Sequence, residues 1–485
     1  MAQQSIKKNT VFNVIKTVSS VLFPLITFPY ISRVLLPENV GKINFGSSIV
    51  SYFSLIATLG VTTYAIRECS AVRDDKKKLS DVASQIFSIN IITTIVAYIA
   101  LAITLIFYSK LENYRILIVI QSLSIVATTF GADWINSAME DFKYITIRSI
   151  GFQFLSLILM FIFVHKPEDY LIYAVITLIS TAGANIVNIW YRRRYCNIRF
   201  TLGIDWKKHF MPILVLFVML LAQTIFNSVD STMLGLMHGD REVGIYSAAN
   251  KMSNIIAQLV ASILWVIMPR MAYYFAENDY NQINELLRKV LGFHALLGIP
   301  CAVGTYMLSD EIILIVSGSE FADASIVLRI LMVGMIFTIF GGSFMGNSIL
   351  LPSKKENIFM IVCCIAAVVN VITNYIFIPK YGARAAAGTT ALCALVIFVA
   401  LFVSIDKKIK IRNILNLFTA PVIGSVGIIA VCILARSIQS LWVRTAVSVV
   451  LSVGVYFIVN YFGRNELLRE TVDGFVGRYL KRKKP

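Results

Sequence analysis

Apolar and polar positions alternate along this chain in long blocks rather than residue by residue. An α-helix needs about 20 apolar residues to cross a hydrocarbon core of about 30 Å. Blocks of that kind occupy 11–35, 39–66, 82–109, 115–139, 149–165, 170–191, 209–236, 242–269, 288–308, 322–350, 358–378, 385–405, 415–435 and 441–463. Runs such as Ile91 to Tyr108 suit helices, because lipid offers no partner to the edge of an open sheet. The expected fold is an all-α integral membrane protein with about 14 transmembrane helices. The first block is long, carries Lys16 and lacks a small-residue cleavage site, so it reads as a span and not as a cleavable signal peptide.

Composition agrees. The 485 residues are 57% hydrophobic and 15% charged, against about 45–50% and about 25% in globular chains. A mean hydropathy of +0.75 would oblige a soluble fold to expose large apolar patches. The net charge of +17 does not indicate nucleic acid, because the basic residues form short clusters between apolar runs rather than one folded face. They do set a topology. The alternate connections that include the N-terminus hold 31 Lys and Arg, the opposite set 9, and the remaining four lie within spans. By the positive-inside rule both termini are expected in the cytoplasm. Seven scattered cysteines show neither metal-ligand nor secreted-disulfide spacing.

The chain also repeats itself. Val40-Gly41 opens the second span and Val243-Gly244 the eighth, 203 residues apart, and Arg67 and Arg270 fall at the same offset. This predicts two six-helix lobes, 1–205 and 206–408, related by a parallel repeat, then a terminal helix pair (409–463) and a basic tail (464–485). In the tail, Leu468, Val472, Phe475, Val476 and Tyr479 share one helical face ahead of Lys481-Arg482-Lys483-Lys484. It can lie against anionic lipid as an interfacial helix or serve as a basic topology determinant.

The sequence carries no GxxxxGK[ST] loop, no HExxH and no extramembrane segment long enough for a soluble catalytic domain. An enzyme is not expected and no cofactor is implied, so transport energy would come from a proton or sodium gradient, membrane potential or substrate flow. Ionisable residues within spans cost roughly 2.5–3.5 kcal/mol each and mark functional candidates. The cations are Lys16 and Arg33 in the first span, Lys251 in the eighth and Arg329 in the tenth; the acids are Asp133 in the fourth and Asp230 in the seventh. Lys16 and Arg33 lie near enough to span ends to snorkel. Asp230 is level with Lys251 along the membrane normal, which allows a salt bridge. Four cations against two acids favour an anionic substrate, since Arg and Lys pair well with phosphate. Asn227 and its neighbours in span seven, with Ser47, Ser48, Ser51 and Tyr52 in span two, can bond a hydroxyl-rich ligand or bond across packed helices. The five tryptophans lie near span ends and read as interfacial anchors. Pro24 and Pro29 free backbone carbonyls and can bend span one.

The stretch Asp133-Trp134-Ile135-Asn136, continuing through Glu140-Asp141-Phe142-Lys143-Tyr144-Ile145-Thr146-Ile147-Arg148, resembles the signature of lipid-linked oligosaccharide flippases. These are polysaccharide transporters of the superfamily that also holds multidrug extruders and the lipid II flippase. Val243-Gly244-Ile245-Tyr246-Ser247-Ala248-Ala249 is similar to that family's eighth-helix opening. Asn370-Val371-Ile372-Thr373-Asn374, with Ile378-Pro379-Lys380-Tyr381-Gly382 and Ala385-Ala386-Ala387, resembles a further family segment. Two departures are Ile135-Asn136-Ser137-Ala138 in place of an aromatic-x-Gln-Gly, and Arg384 in place of a Gly before the alanine run.

The resemblance implies alternating-access transfer of a polyprenyl-pyrophosphate-linked oligosaccharide from the cytoplasmic to the outer leaflet of a bacterial inner membrane. Its partners would be the lipid-linked glycan, membrane lipid, and the polymerase and glycosyltransferases of one pathway. Arg33, Lys251 and Arg329, with Lys16, would hold the phosphates, and Asp230 would tune Lys251 or couple to an ion. Arg67 and Arg270 would capture the head group at the cytoplasmic rim, or act only as topology determinants. The rivals are a multidrug/cation antiporter of the same fold, which predicts a dominant intramembrane acid, and a peptidoglycan lipid II flippase.

Overall fold

The computed structural model describes residues 6–463, 465 and 467–469; the tail residues Val472 to Lys484 lie outside them. Among the described residues every regular element is helical. Eleven helices among the described residues are long and apolar enough to span a membrane, or up to twelve with one bent pair.

Two of these helices are too long for one crossing. Helix α1 (Ile6–Thr58) has 53 residues and α15 (Glu356–Ser404) has 49. At 1.5 Å per residue each would exceed twice the hydrocarbon thickness of about 30 Å. Each contains one non-helical residue. In α1 it is Leu36 (φ 63°, ψ 167°), where the ring of Pro37 disfavours helical geometry in the preceding residue. In α15 it is Gly382 (φ 53°, ψ −133°), a conformation glycine adopts without a Cβ penalty. The expected gaps 36–38 and 379–384 bracket both breaks.

Several span ends differ from the hydropathy reading, three of them near candidate residues. Span two stops at Thr58, where Leu59 and Gly60 turn left-handed, and a short α2 (Val61–Ala71) follows. Arg67 therefore belongs to α2. After α3 (Lys76–Phe107), α4 (Arg115–Gly131) stops at left-handed Ala132, so Asp133 leads into a five-residue α5 (Trp134–Ala138) instead of standing within span four. Helix α6 (Phe142–Phe163) begins seven residues earlier than expected, because Asp141 caps it by accepting the Tyr144 N–H. Its first turns carry Lys143 and Arg148, which depress the local hydropathy. Trp134 is also no interfacial anchor: it is buried in a core with Tyr64, Leu79, Ile86 and Ile135, whereas Trp190, Trp206 and Trp442 are exposed.

The remaining helices are α7 (Tyr170–Leu178), α8 (Ala184–Tyr191), α9 (Trp206–Met237), α10 (Asp240–Ala276), α11 (Tyr280–Phe293), α12 (Ile299–Met307), α13 (Ser309–Val316), α14 (Ala324–Thr338), α16 (Ile414–Ala435) and α17 (Leu441–Phe462). Wider π-helical turns join α7 to α8, α11 to α12, and extend α14 over Ile339–Leu350. Helix α10 bends by 48° between Leu264 and Ile267, near Pro269, whose ring leaves the carbonyl four residues back without its helical donor.

Contacts divide the chain into two compact units, Met1–Gly244 and Ile245–Pro485. In the first, α1 packs on α3, α4, α6 and α9; in the second, α14 packs on α15 and α16 on α17. Helix starts recur at the offset of the sequence repeat. The second half of α1 begins at Pro37 and α10 at Asp240, 203 residues later; α3 begins at Lys76 and α11 at Tyr280, 204 later.

Candidate functional site

Among the described residues of the first unit, a well-connected polar cluster is built on the Asp133 segment. Asn188 on α8 donates to the Gly131 carbonyl (2.8 Å), and Asn136 donates to Asn188 (2.6 Å) and to Asp133 (2.9 Å). A side chain at Gly131 would press on Asn185, so the close approach of α4 and α8 needs glycine there. Arg148, whose side chain is 5% exposed, donates to Asp133 at 2.7 Å and lies 5.1 Å above the Tyr144 ring. Tyr144 stacks on Tyr191 with centroids 3.4 Å apart. Tyr191 and Tyr195 both donate to one Asp141 oxygen, at 2.7 and 2.6 Å. Burial, with Asp141 beside it, holds the Tyr195 phenol far above its ordinary range, so it stays a donor. Arg73 pairs with Glu140 at 2.7 Å. Asp133, Glu140 and Asp141 are thus all satisfied by groups from other segments. The cluster is a clasp that fixes the ends of α4, α5, α6 and α8.

A second feature joins α1 to α9. Ser51 bonds Ser228 (3.0 Å), Tyr52 bonds Thr232 (3.2 Å) and Thr232 donates to Ser48 (2.9 Å). Those span-two hydroxyls serve helix packing. Asp230 is buried on the same helix, and Asn227 is exposed. Nearby, the two Val-Gly pairs of the repeat meet. A Cβ on Gly41 would run into the Asp240 carbonyl, and one on Gly244 into the Pro37 carbonyl. Each glycine lets its helix cross the other at backbone contact. Gly41→Ala is expected to cost about 1–3 kcal/mol by overpacking, read as a lower melting temperature in detergent. An unchanged melting temperature would mean the crossing tolerates separation.

The other candidates of this unit stand apart. Lys16 is half-buried on the first half of α1. Arg33 is exposed and folds back to donate to the Pro29 carbonyl at 2.6 Å. Arg67 is exposed, 3.2 Å from Glu68 and 5.3 Å above the Tyr64 ring.

In the second unit, Lys251 is half-buried on α10, eleven residues from its start, or about 16 Å along the axis. Arg270 is exposed just beyond Pro269. Arg329 on α14 pairs with Asp310 at the start of α13, and Arg444 on α17 with Glu311 at 2.9 Å. The two halves of α15 are tied by buried amides: Asn374 donates to Asn370 (3.1 Å), and Thr389 donates to Asn374. No group of three metal-ligating side chains occurs among the described residues.

The sequence matches the family profile described as polysaccharide biosynthesis protein over residues 6–275, more than half of the chain. The chain belongs to that family. A second profile, MatE, matches residues 216–376. The capsular polysaccharide biosynthesis protein CapF of Staphylococcus aureus is 25% identical over 81% of this chain and 98% of its own length. A putative O-antigen transporter of Escherichia coli K12 is 23% identical over 67% and 79%. The probable low-salt glycan biosynthesis flippase Agl15 of Haloferax volcanii is 29% identical over 34% and 35%. Among solved structures, the lipid II flippase MurJ in an inward closed conformation aligns with a TM-score of 0.75 at 18% identity, covering 95% of this chain and all of that one. An inward-facing multidrug MATE transporter aligns at 0.63 with 16% identity, covering 83% and 94%. The fold is shared with both.

In this polysaccharide biosynthesis family member, three of the sequence candidates are paired with residues that the sequence pattern gave no role. Asp133 is held by Arg148, Arg67 by Glu68 and Arg329 by Asp310. Asn188, Tyr191 and Tyr195 were also missed. Arg148 carried a signal, because it ends the flippase-like signature. Asn188 carried none, since it lies 52 residues from Asn136 in an unremarkable apolar block.

Proposed function

We propose that this protein is a flippase that carries a polyprenyl-pyrophosphate-linked oligosaccharide from the inner to the outer leaflet of a bacterial cytoplasmic membrane. The observation that carries this reading is the family match over residues 6–275, with relatives named an O-antigen transporter and a glycan flippase. A pyrophosphate bearing hydrated sugars cannot cross hydrocarbon unaided. Lys251, Arg33 and Arg329, with Lys16, would supply positive charge along its path, Asn227 a polar contact, and Asp230 a counter-charge for Lys251 or a coupling-ion site. Arg67 and Arg270 would meet the head group first, at the cytoplasmic end where the basic connections lie. The lipid tail would remain in the bilayer. Release outward would require the Gly41–Gly244 crossing to part, driven by a proton or sodium gradient or the membrane potential. The polymerase and glycosyltransferases of the same surface-polysaccharide pathway would be its partners, and the protein itself would perform no covalent chemistry.

Depleting the protein tests this directly, with lipid-linked glycans extracted from spheroplasts treated with an impermeant glycan-modifying enzyme. The expected result is accumulation of protected, inward-facing glycan. A lipid-linked pool of normal size and sidedness, in a strain with no redundant flippase, would overturn it.

A further inference from the structure

Two cavities of the second unit adjoin one another and differ in chemistry. One, of about 280 Å³, lies among the connections that follow α10, the π-helical extension of α14, and α15; its lining includes Tyr280, Ser353, Lys354, Lys355 and Asp406. Lys355 sits 3.5 Å from Asp406, and Lys408 lies 5.3 Å from the centre of the Tyr280 ring. Lys354 is exposed and held at φ 57°. Lys354 and Lys355 both line this chamber, whose one lining carboxylate, Asp406, is already paired with Lys355, and Lys407 lines the neighbouring cavity.

The second cavity, of about 510 Å³, is apolar and rich in phenylalanine, with Phe340 and Phe344 from the π-helical turns, Phe398 and Phe402 from α15, and Phe418 from α16. The two share Ile349, Asp406 and Ile409 as walls. Its volume lies in the range of about 300–1,000 Å³ typical of ligand sites. Phe340 of the π-helical turns meets Phe418 of α16 with ring centroids 5.3 Å apart, which closes one side of the space.

A cationic chamber joined to an aromatic-walled apolar one matches an amphiphile with an anionic head. We infer that this pair of cavities binds an anionic phospholipid, with the phosphate against Lys354 and Lys355 and one acyl chain among Phe344, Phe402 and Phe418. All three connections around the polar chamber belong to the basic, cytoplasmic set of the sequence, and anionic lipid head groups attract basic pockets on that face. The site is built within the second unit alone and does not depend on which glycan the protein carries.

The test uses the purified full chain in phosphatidylcholine nanodiscs, titrated with dioleoyl phosphatidylglycerol and scored by native mass spectrometry after gentle release. Wild-type protein is expected to retain phosphatidylglycerol at least tenfold over phosphatidylcholine. Lys354→Glu/Lys355→Glu should lose that preference. Ile409→Trp, which keeps every charge and narrows the wall shared by the chambers, should reduce retention about tenfold. If the double variant fails to fold, Ile409→Trp alone decides, and unchanged retention in it overturns the inference. No preference in wild type also overturns it. Complete displacement by millimolar inorganic phosphate would do so too, since it would make the site one for a free anion.

Discussion

Export of the lipid-linked glycan is expected to fall about a hundredfold when Lys251 is replaced by alanine, with the protein level in the membrane unchanged. A lysine in a span costs roughly 2.5–3.5 kcal/mol to insert, so removing it does not threaten the fold through lost burial. What is lost is a cation half-buried on α10. A hydrogen bond from a charged donor to a phosphate contributes about 1.5–3 kcal/mol, and the upper end corresponds to about two decades in rate or affinity. Lys251→Arg should keep part of the activity, because it retains the charge and adds donors. For Arg329, Asp310 holds the guanidinium. Arg329→Ala is expected to lower protein level together with export, and Asp310→Ala added to it should restore the level but not the export. Export at wild-type rate from Lys251→Ala, at equal protein level, would remove Lys251 from the transport path.

The second large effect is on folding. Arg148→Ala breaks a pair in which the arginine is nearly inaccessible and Asp133 is 32% exposed. Removing one partner of a buried pair costs about 3–5 kcal/mol, and the partial exposure of Asp133 points to the lower end. The Tyr144 ring also loses the guanidinium that lies 5.1 Å from its centre. Arg148→Lys should rescue poorly, because a lysine cannot reproduce the planar contact with the ring. The expected readout is a melting temperature several degrees lower in detergent and a reduced amount in the membrane. Pairing the change with Asp133→Asn should recover part of the loss by removing the orphaned charge. A melting temperature within one degree of wild type in Arg148→Ala would show that the clasp does not hold the helix ends.

Much of the architecture was legible in the sequence because its causes are local. The length of an apolar block is set by bilayer thickness, and proline and glycine act on the backbone within a residue or two. The breaks at Leu36 and Gly382 therefore fall where the spans were divided. The Val-Gly repeat was legible as a pattern, but its purpose was not. Only the packed structure shows that Gly41 and Gly244 are the places where two helices touch at the backbone.

The polar residues divide along the same line. Hydropathy averages over all faces of a helix, so it marked Ser48, Ser51 and Tyr52 without telling a ligand-facing hydroxyl from one spent on α9. It likewise treated Trp134 as one more tryptophan near a span end, although the left-handed turn at Ala132 carries it into the core. Charge partners are the least local quantity of all. Asp133 meets Arg148 from the next long helix, Asn136 meets Asn188 across 52 residues, and Arg329 meets Asp310 on a helix that hydropathy placed in a connection. The sequence by itself determined the all-helical membrane class and the two breaks in the longest helices, because membrane thickness and backbone sterics act on each segment separately. The tertiary structure decided which of those charges are held by a neighbour, because a charge is satisfied by whatever packing brings within hydrogen-bond reach.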